Sequence, residues 1–195
     1  PSIFAKAWKL VKGWFGPRLV DWDEISCNLL VEREGAGGEP IVFPAVLRDT
    51  DQRSVDEIHA TIRDLKRTPL DEVDALKGRR RVAKLPRLGL WLLNQLVSRR
   101  PGFFIKHFGT FNLSAIIHEG SGVMGGSALS TSTTVYPTDI RDKPVVVDGE
   151  IVVRTMMAIH ICVDHFAMDG MQAYRASRCL QRFIEAPEHV LGDPV

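Results

Sequence analysis

The stretch that decides the fold is Ile151 to Gly170, IVVRTMMAIHICVDHFAMDG. A long apolar run, rich in β-branched residues, ends at Asp164-His165. Asp169-Gly170 comes four residues after His165, and apolar residues then recur at once at helical spacing: Met171, Tyr174, Cys179, Leu180 and Phe183. The pattern predicts a buried strand, a tight loop and a helix running to about Ala186, with Pro187 as its stop. A histidine delivered to the end of a buried strand leaves the core while staying rigidly held, which suits it for chemistry.

Working outward, Val145 to Val153 (VVVDGEIVV) carries Asp148-Gly149 between two β-branched runs, the strongest hairpin signal in the chain. Ala128 to Tyr136 and Gly109 to Ile117 also have strand character. Between them Gly120 to Gly126 (GSGVMGG) reads as a loop. Ile25 to Val31 and Pro40 to Leu47 read as paired strands around the glycine-bearing segment 32–39, with Pro44 indicating an edge or a bulge. That glycine segment is not a phosphate loop, because no Gly-Lys-Ser/Thr and no helix follow it.

Two further helices are expected. Ser54, three residues before Glu57, forms a capping box for a helix over 51–66, whose apolar face is Val55, Ile58, Ile62 and Leu65. Phe4, Ala7, Trp8, Leu10, Val11, Trp14 and Phe15 recur at helical spacing and predict an amphipathic helix over 2–15. Residues 70–108 are less regular. A basic run, Lys77, Arg79, Arg80, Arg81, Lys84 and Arg87, reads as a solvated face or a contact for an anionic phosphate. The apolar Leu88 to Val97 helix after it is expected to pack against the body or a neighbouring subunit, with a membrane-surface role as the second reading.

The chain has 195 residues, 45% hydrophobic and 25% charged, which is enough for one soluble domain with its own core. Its net charge of +1 argues against a nucleic-acid-binding molecule as a whole. Cys27, Cys162 and Cys179 are odd in number and lack metal spacing, so they read as reduced thiols in a cytoplasmic protein. No run is long enough for a membrane span.

His165-Phe166-Ala167-Met168-Asp169-Gly170 matches the HxxxDG motif of the coenzyme A-dependent acyltransferases. That family includes chloramphenicol acetyltransferase and the catalytic domain of the dihydrolipoyl acyltransferases, the E2 components of 2-oxoacid dehydrogenase complexes. The resemblance is collinear. The segment around Phe4 to Trp14 looks like the family's FxxKA-type helix, Gly109-Thr110-Phe111-Asn112-Leu113-Ser114 resembles its GTFTIS segment, and 144–154 resembles the hairpin leading to its active-site strand. The chain departs from the pattern at Phe166, where E2 sequences carry Arg, and at Ala115-Ile116-Ile117, where they carry Asn-Leu-Gly. Residues 70–108 are longer than the corresponding E2 link.

The resemblance implies an α/β fold of the chloramphenicol acetyltransferase type, a two-layer sandwich whose mixed, largely antiparallel sheet is covered by helices. It implies a single catalytic domain over 1–195 that lacks the family's first strand and helix, with no lipoyl domain, no lipoate and no subunit-binding domain. It implies transfer of an acyl group between coenzyme A and a thiol or hydroxyl acceptor, in a homotrimer, without a metal. His165 takes the family's general-base role, Ser114 the oxyanion-supporting serine, and Asp169 the carboxylate that holds the loop. Read from the residues alone, His165 is also compatible with a core histidine, Ser114 with an ordinary strand serine and Asp169 with a helix cap. A catalytically inactive trimeric scaffold or binding protein of the same fold is the alternative. His160 and Cys162 alternate away from His165 along a regular strand, which argues against a His-His metal pair and a Cys-His nucleophile.

Overall fold

The computed structural model describes residues 7–13, 16–35, 37–115, 117 and 131–188. The glycine-rich 120–126 loop, residues 128–130 and the chain ends lie outside them. Five strands form the main sheet: β3 (Cys27–Glu34), β4 (Pro40–Leu47), β5 (Phe111–Leu113), β6 (Thr133–Val147) and β7 (Glu150–Val163). They lie in the order β4-β3-β5-β6-β7. The outer pairs β3/β4 and β6/β7 are antiparallel and long, whereas β5 joins both halves by short parallel pairings. β4 is therefore an edge strand, where Pro44 costs no ladder bond to a further neighbour.

Among the described residues five α-helices accompany the sheet: α1 (Val55–Arg67), α2 (Asp74–Ala83), α3 (Arg87–Arg99), α4 (Pro101–Phe108) and α5 (Gly170–Glu185). α1 starts as its sequence specifies. The Ser54 hydroxyl accepts from the Glu57 amide at 3.2 Å, and the Glu57 carboxylate accepts from the Ser54 amide at 2.8 Å. These bonds to Ser54 hold the Glu57 carboxyl below its ordinary pKa. Arg33 ties β3 to the end of α1 by donating to the carbonyls of Leu65 and Thr68. The central apolar cluster is Val31, Phe43 and Val73, with Leu29, Ile41, Ala45, Leu70 and Leu76 packed against it.

Several expectations need correction. The helix expected over 2–15 is not one: Ala7–Gly13 form a strand, β1, paired antiparallel with β2 (Gly16–Trp22). The register sets Gly13 opposite Gly16. Val11 and Val20 suit a strand, and Pro17 opposes helix continuation, so hairpin closure overrides a periodicity that also fits alternation. The strands expected at 128–136 and 145–147 belong to one strand, β6, which runs through Pro137 and Pro144. A register irregularity between Pro137 and Ile140 absorbs the missing donor. The strand expected at 109–117 shortens to Phe111–Leu113. The less regular stretch 70–108 holds three helices, and the one expected over Leu88 to Val97 is α3.

The β6/β7 hairpin turns at Asp148 (φ 54°) and Gly149 (φ 87°). Two successive positive φ values match the right-handed twist of the flanking strands, and Asp-Gly tolerates them. The hairpin is much longer than its tip suggested, with pairs from Thr133/Val163 to Val147/Glu150.

Candidate active site

β7 ends at Val163, and the next residues form a clipped turn. The Asp164 amide donates to the Ser132 carbonyl at 2.8 Å, which extends the β6/β7 ladder by one bond. The Asp164 carboxylate accepts from the Phe166 amide at 3.0 Å, and its carbonyl accepts from the amides of Ala167 and Met168. Ala167 is buried and anchors the turn, while His165 and Phe166 stand exposed at its crest. Because β7 has already ended, strand alternation does not reach His165, and the parity argument separating it from His160 and Cys162 does not apply.

Asp169 closes the turn from the other side. Its carboxylate accepts from the Gln172 amide at 2.7 Å, and the Gln172 side chain accepts from the Asp169 amide at 3.0 Å. This is a capping box for α5, two otherwise orphaned amides satisfied reciprocally. Asp169 thus fixes the exit of the histidine turn, as the helix-cap reading requires.

Ser114 lies directly after β5 and is buried. Its amide donates to the Val135 carbonyl at 3.1 Å. β5 has only three residues, so its backbone ladder is short and side chains complete its anchorage. Asn28 donates to Asn112 at 2.9 Å, and Asn112 donates to the Thr134 hydroxyl at 3.1 Å, a polar row across β3, β5 and β6. Upstream, the Thr110 amide donates to the Ser26 carbonyl at 2.7 Å, and the Ser26 amide donates to the Thr110 hydroxyl at 2.9 Å. Asn28 and Asn112 are visible in the sequence as polar residues inside apolar strands. Their pairing is not, because it depends on β5 inserting between β3 and β6.

Within one chain the structure does not bring Ser114 and His165 together. They sit two strands apart, and Ser114 is level with the Tyr136/His160 pair, five residues short of His165. With strands ~4.8 Å apart and a rise of ~3.3 Å per residue, the separation is on the order of 20 Å. A groove of about 590 Å³ runs along β3 to Ile62 and Lys66 of α1. Its lining includes Ala115, but neither Ser114 nor His165.

Cys27 is a poor nucleophile. Burial pushes the Cys27 thiol up to about 12, which suppresses thiolate formation. Among the described residues no cluster of His, Cys, Asp and Glu could hold a metal ion. His107 of α4 contacts the Phe103 ring at 4.3 Å between centroids. Its pKa is lowered by burial and by the neighbouring cations Lys106 and Arg48.

Residues 134–192, which contain β6, β7, the histidine turn and α5, match the family model of the 2-oxoacid dehydrogenases acyltransferase (catalytic domain). Over that segment the chain is similar to this family. Over 90 residues it is 31% identical to a probable dihydrolipoyllysine-residue succinyltransferase component of the mitochondrial 2-oxoglutarate dehydrogenase complex of Schizosaccharomyces pombe. That alignment covers 43% of this chain and 19% of the relative. Its fold is similar to a probable dihydrolipoamide acetyltransferase from Listeria monocytogenes (TM-score 0.57, 20% identity, 94% of this chain and 62% of that one). It is also similar to the dihydrolipoamide acetyltransferase of Azotobacter vinelandii (TM-score 0.60, 18% identity, 97% and 63%), where a serine, a histidine and an asparagine have been investigated in the catalytic mechanism. The chain thus spans a fifth of the length of the curated relative and under two thirds of the solved structures it matches. These folds establish the α/β architecture of the chloramphenicol acetyltransferase type.

Proposed function

We propose that this chain is a coenzyme A-dependent acyltransferase of the 2-oxoacid dehydrogenase E2 type, with His165 as general base and Ser114 as oxyanion donor. The observation that carries the reading is the family-matched segment: a strand, a clipped turn raising His165, and a helix capped by Asp169. The spacing of the Azotobacter vinelandii residues supports it. There the serine precedes the histidine by 52 positions and the asparagine follows it by four, against 51 and four for Ser114, His165 and Asp169 here.

In the proposed reaction the thiol or hydroxyl of the acceptor attacks the thioester carbonyl of acyl-CoA. His165 takes the acceptor's proton as the new bond forms. The Ser114 hydroxyl donates to the oxyanion of the tetrahedral intermediate. Collapse breaks the carbon–sulfur bond, and the departing CoA thiolate takes the proton back from His165. The acyl group passes directly between substrates, so both must be bound at once and no acyl-enzyme forms.

Because Ser114 and His165 lie on the order of 20 Å apart in one chain, the pair has to be assembled from two copies. A homotrimer with sites between subunits does this. The hairpin tip supports an assembly as well: Val146, Ile151 and Val153 share one face by register and are 71%, 78% and 72% exposed, an apolar surface that a partner copy would cover.

The test is initial-rate kinetics with acetyl-CoA and a panel of small thiols and alcohols, including a dihydrolipoyl thiol. Intersecting reciprocal plots are expected, and parallel lines would refute direct transfer. A mixed preparation tests the shared site: co-assembled His165→Ala and Ser114→Ala chains should regain activity that neither variant has alone. A preparation that binds CoA without turnover over the whole panel would favour the scaffold.

A further inference from the structure

We propose that α3 and the basic segment preceding it form a docking surface for anionic lipid bilayers, with α3 lying in the headgroup plane. Leu88, Trp91, Leu92 and Leu96 are 68%, 56%, 48% and 56% exposed. At ~100° per residue they share an arc of roughly 140°. Leu93 and Val97, turned away from the arc, are half-buried, as are Gln95 and Arg99, whose polar groups interleave with the leucines within it. α3 therefore spends part of its apolar surface on the body and presents the rest outward.

Charge selects the occupant. Residues 74–100 hold eight Lys and Arg against Asp74 alone, a net +7, while the whole chain carries only +1. Lys84 and Arg87 lie just before the apolar arc and Arg100 just after it, all three exposed. Basic ends around a leucine face with a tryptophan are what an anionic bilayer surface recognises: the arc enters the acyl boundary, and the cations stay at the phosphates. α3 is 13 residues long, and among the described residues no helix is long and apolar enough to cross a membrane, so the helix lies on the bilayer. A second copy packed arc to arc would set +7 against +7. A nucleic acid has no use for four outward apolar side chains.

The experiment is co-sedimentation of the full chain with sucrose-loaded vesicles of phosphatidylcholine alone or mixed with phosphatidylglycerol. Binding is expected to the mixed vesicles only and should weaken as salt rises. Trp91→Ser with Leu92→Ser, both exposed and so compatible with folding, should lower partitioning by about 10-fold or more. Arg80→Gln with Arg81→Gln and Lys84→Gln should lower it and flatten the salt dependence. Circular dichroism checks that each variant keeps its fold. Failure to bind anionic vesicles at low salt overturns the proposal. So does binding that survives loss of Trp91 and Leu92, or polynucleotide binding in its place. A fall in oligomeric state caused by the Trp91/Leu92 variant without vesicles also overturns it, because a second copy would then occupy the face.

Discussion

Gly109→Ala should be among the most damaging single-methyl changes in the chain, and it reports on how Ser114 is held. Gly109 ends α4 at φ 64° and ψ −172°, a region open essentially only to glycine. A Cβ there would stand 2.7 Å from the Ser26 carbonyl oxygen, 3.0 Å from the Asn28 amide nitrogen and 3.3 Å from the Cys27 carbonyl carbon. All three are backbone atoms of β3 and its lead-in, so no side chain can swing away. The conformational penalty is about 1–3 kcal/mol. Relieving the overlap by shifting backbone adds about 1–3 kcal/mol. The total destabilisation should be about 2–6 kcal/mol, concentrated where Thr110 bonds Ser26 and β5 enters the sheet. Urea unfolding measures the total, and native-state hydrogen exchange measures its location. The Thr110 and Ser114 amides should lose protection in parallel with the fall in stability, while the amides of α1 lose less. An unchanged midpoint with full protection at both amides would refute the reasoning that Gly109 lets β5 dock against β3.

Two further outcomes follow from the site and its surroundings. Asp169→Ala should cost about 1 kcal/mol through loss of the α5 cap and reduce turnover by loosening the histidine turn; thermal unfolding and kcat check both. Asp169→Asn should keep the cap and the stability, so a large loss of activity in that variant alone would assign the carboxylate a role beyond capping. Native-state labelling with iodoacetamide at pH 8, followed by mass spectrometry, should find Cys27 the slowest of the three thiols, since a pKa of about 12 leaves almost none of it as thiolate. Reaction of Cys27 as fast as the half-buried Cys162 and Cys179 would contradict its burial.

Elements whose local signals agreed with their tertiary surroundings were legible in the sequence. Ser54 and Glu57 set the start of α1, Asp148-Gly149 set the β6/β7 turn, and Asp169 set the start of α5, because each acts within a few residues. The β1/β2 hairpin was misread because Trp8, Leu10 and Val11 satisfy helical and alternating spacing over so short a window, and the decision rests on pairing with 16–22. The continuity of β6 was hidden by Pro137 and Pro144, which normally interrupt a strand but are absorbed here at an irregularity and toward the hairpin tip. His165 and Asp169 could be named because they share one local motif. The distance between Ser114 and His165 could not, since it depends on strand order, and neither could the exposure of Leu88, Trp91, Leu92 and Leu96. Periodicity shows that a helix has an apolar face, not whether the same chain covers it.

The most direct measurement is the steady-state rate of CoA release from acetyl-CoA, in the presence of a productive acceptor, for wild type and His165→Ala. Loss of the general base should lower kcat by about 10²–10⁴-fold, with the fold unchanged by circular dichroism, because His165 is exposed on a turn held by its neighbours. A His165→Ala protein that turns over at the wild-type rate would contradict the assignment of His165 as the base, whatever the fold.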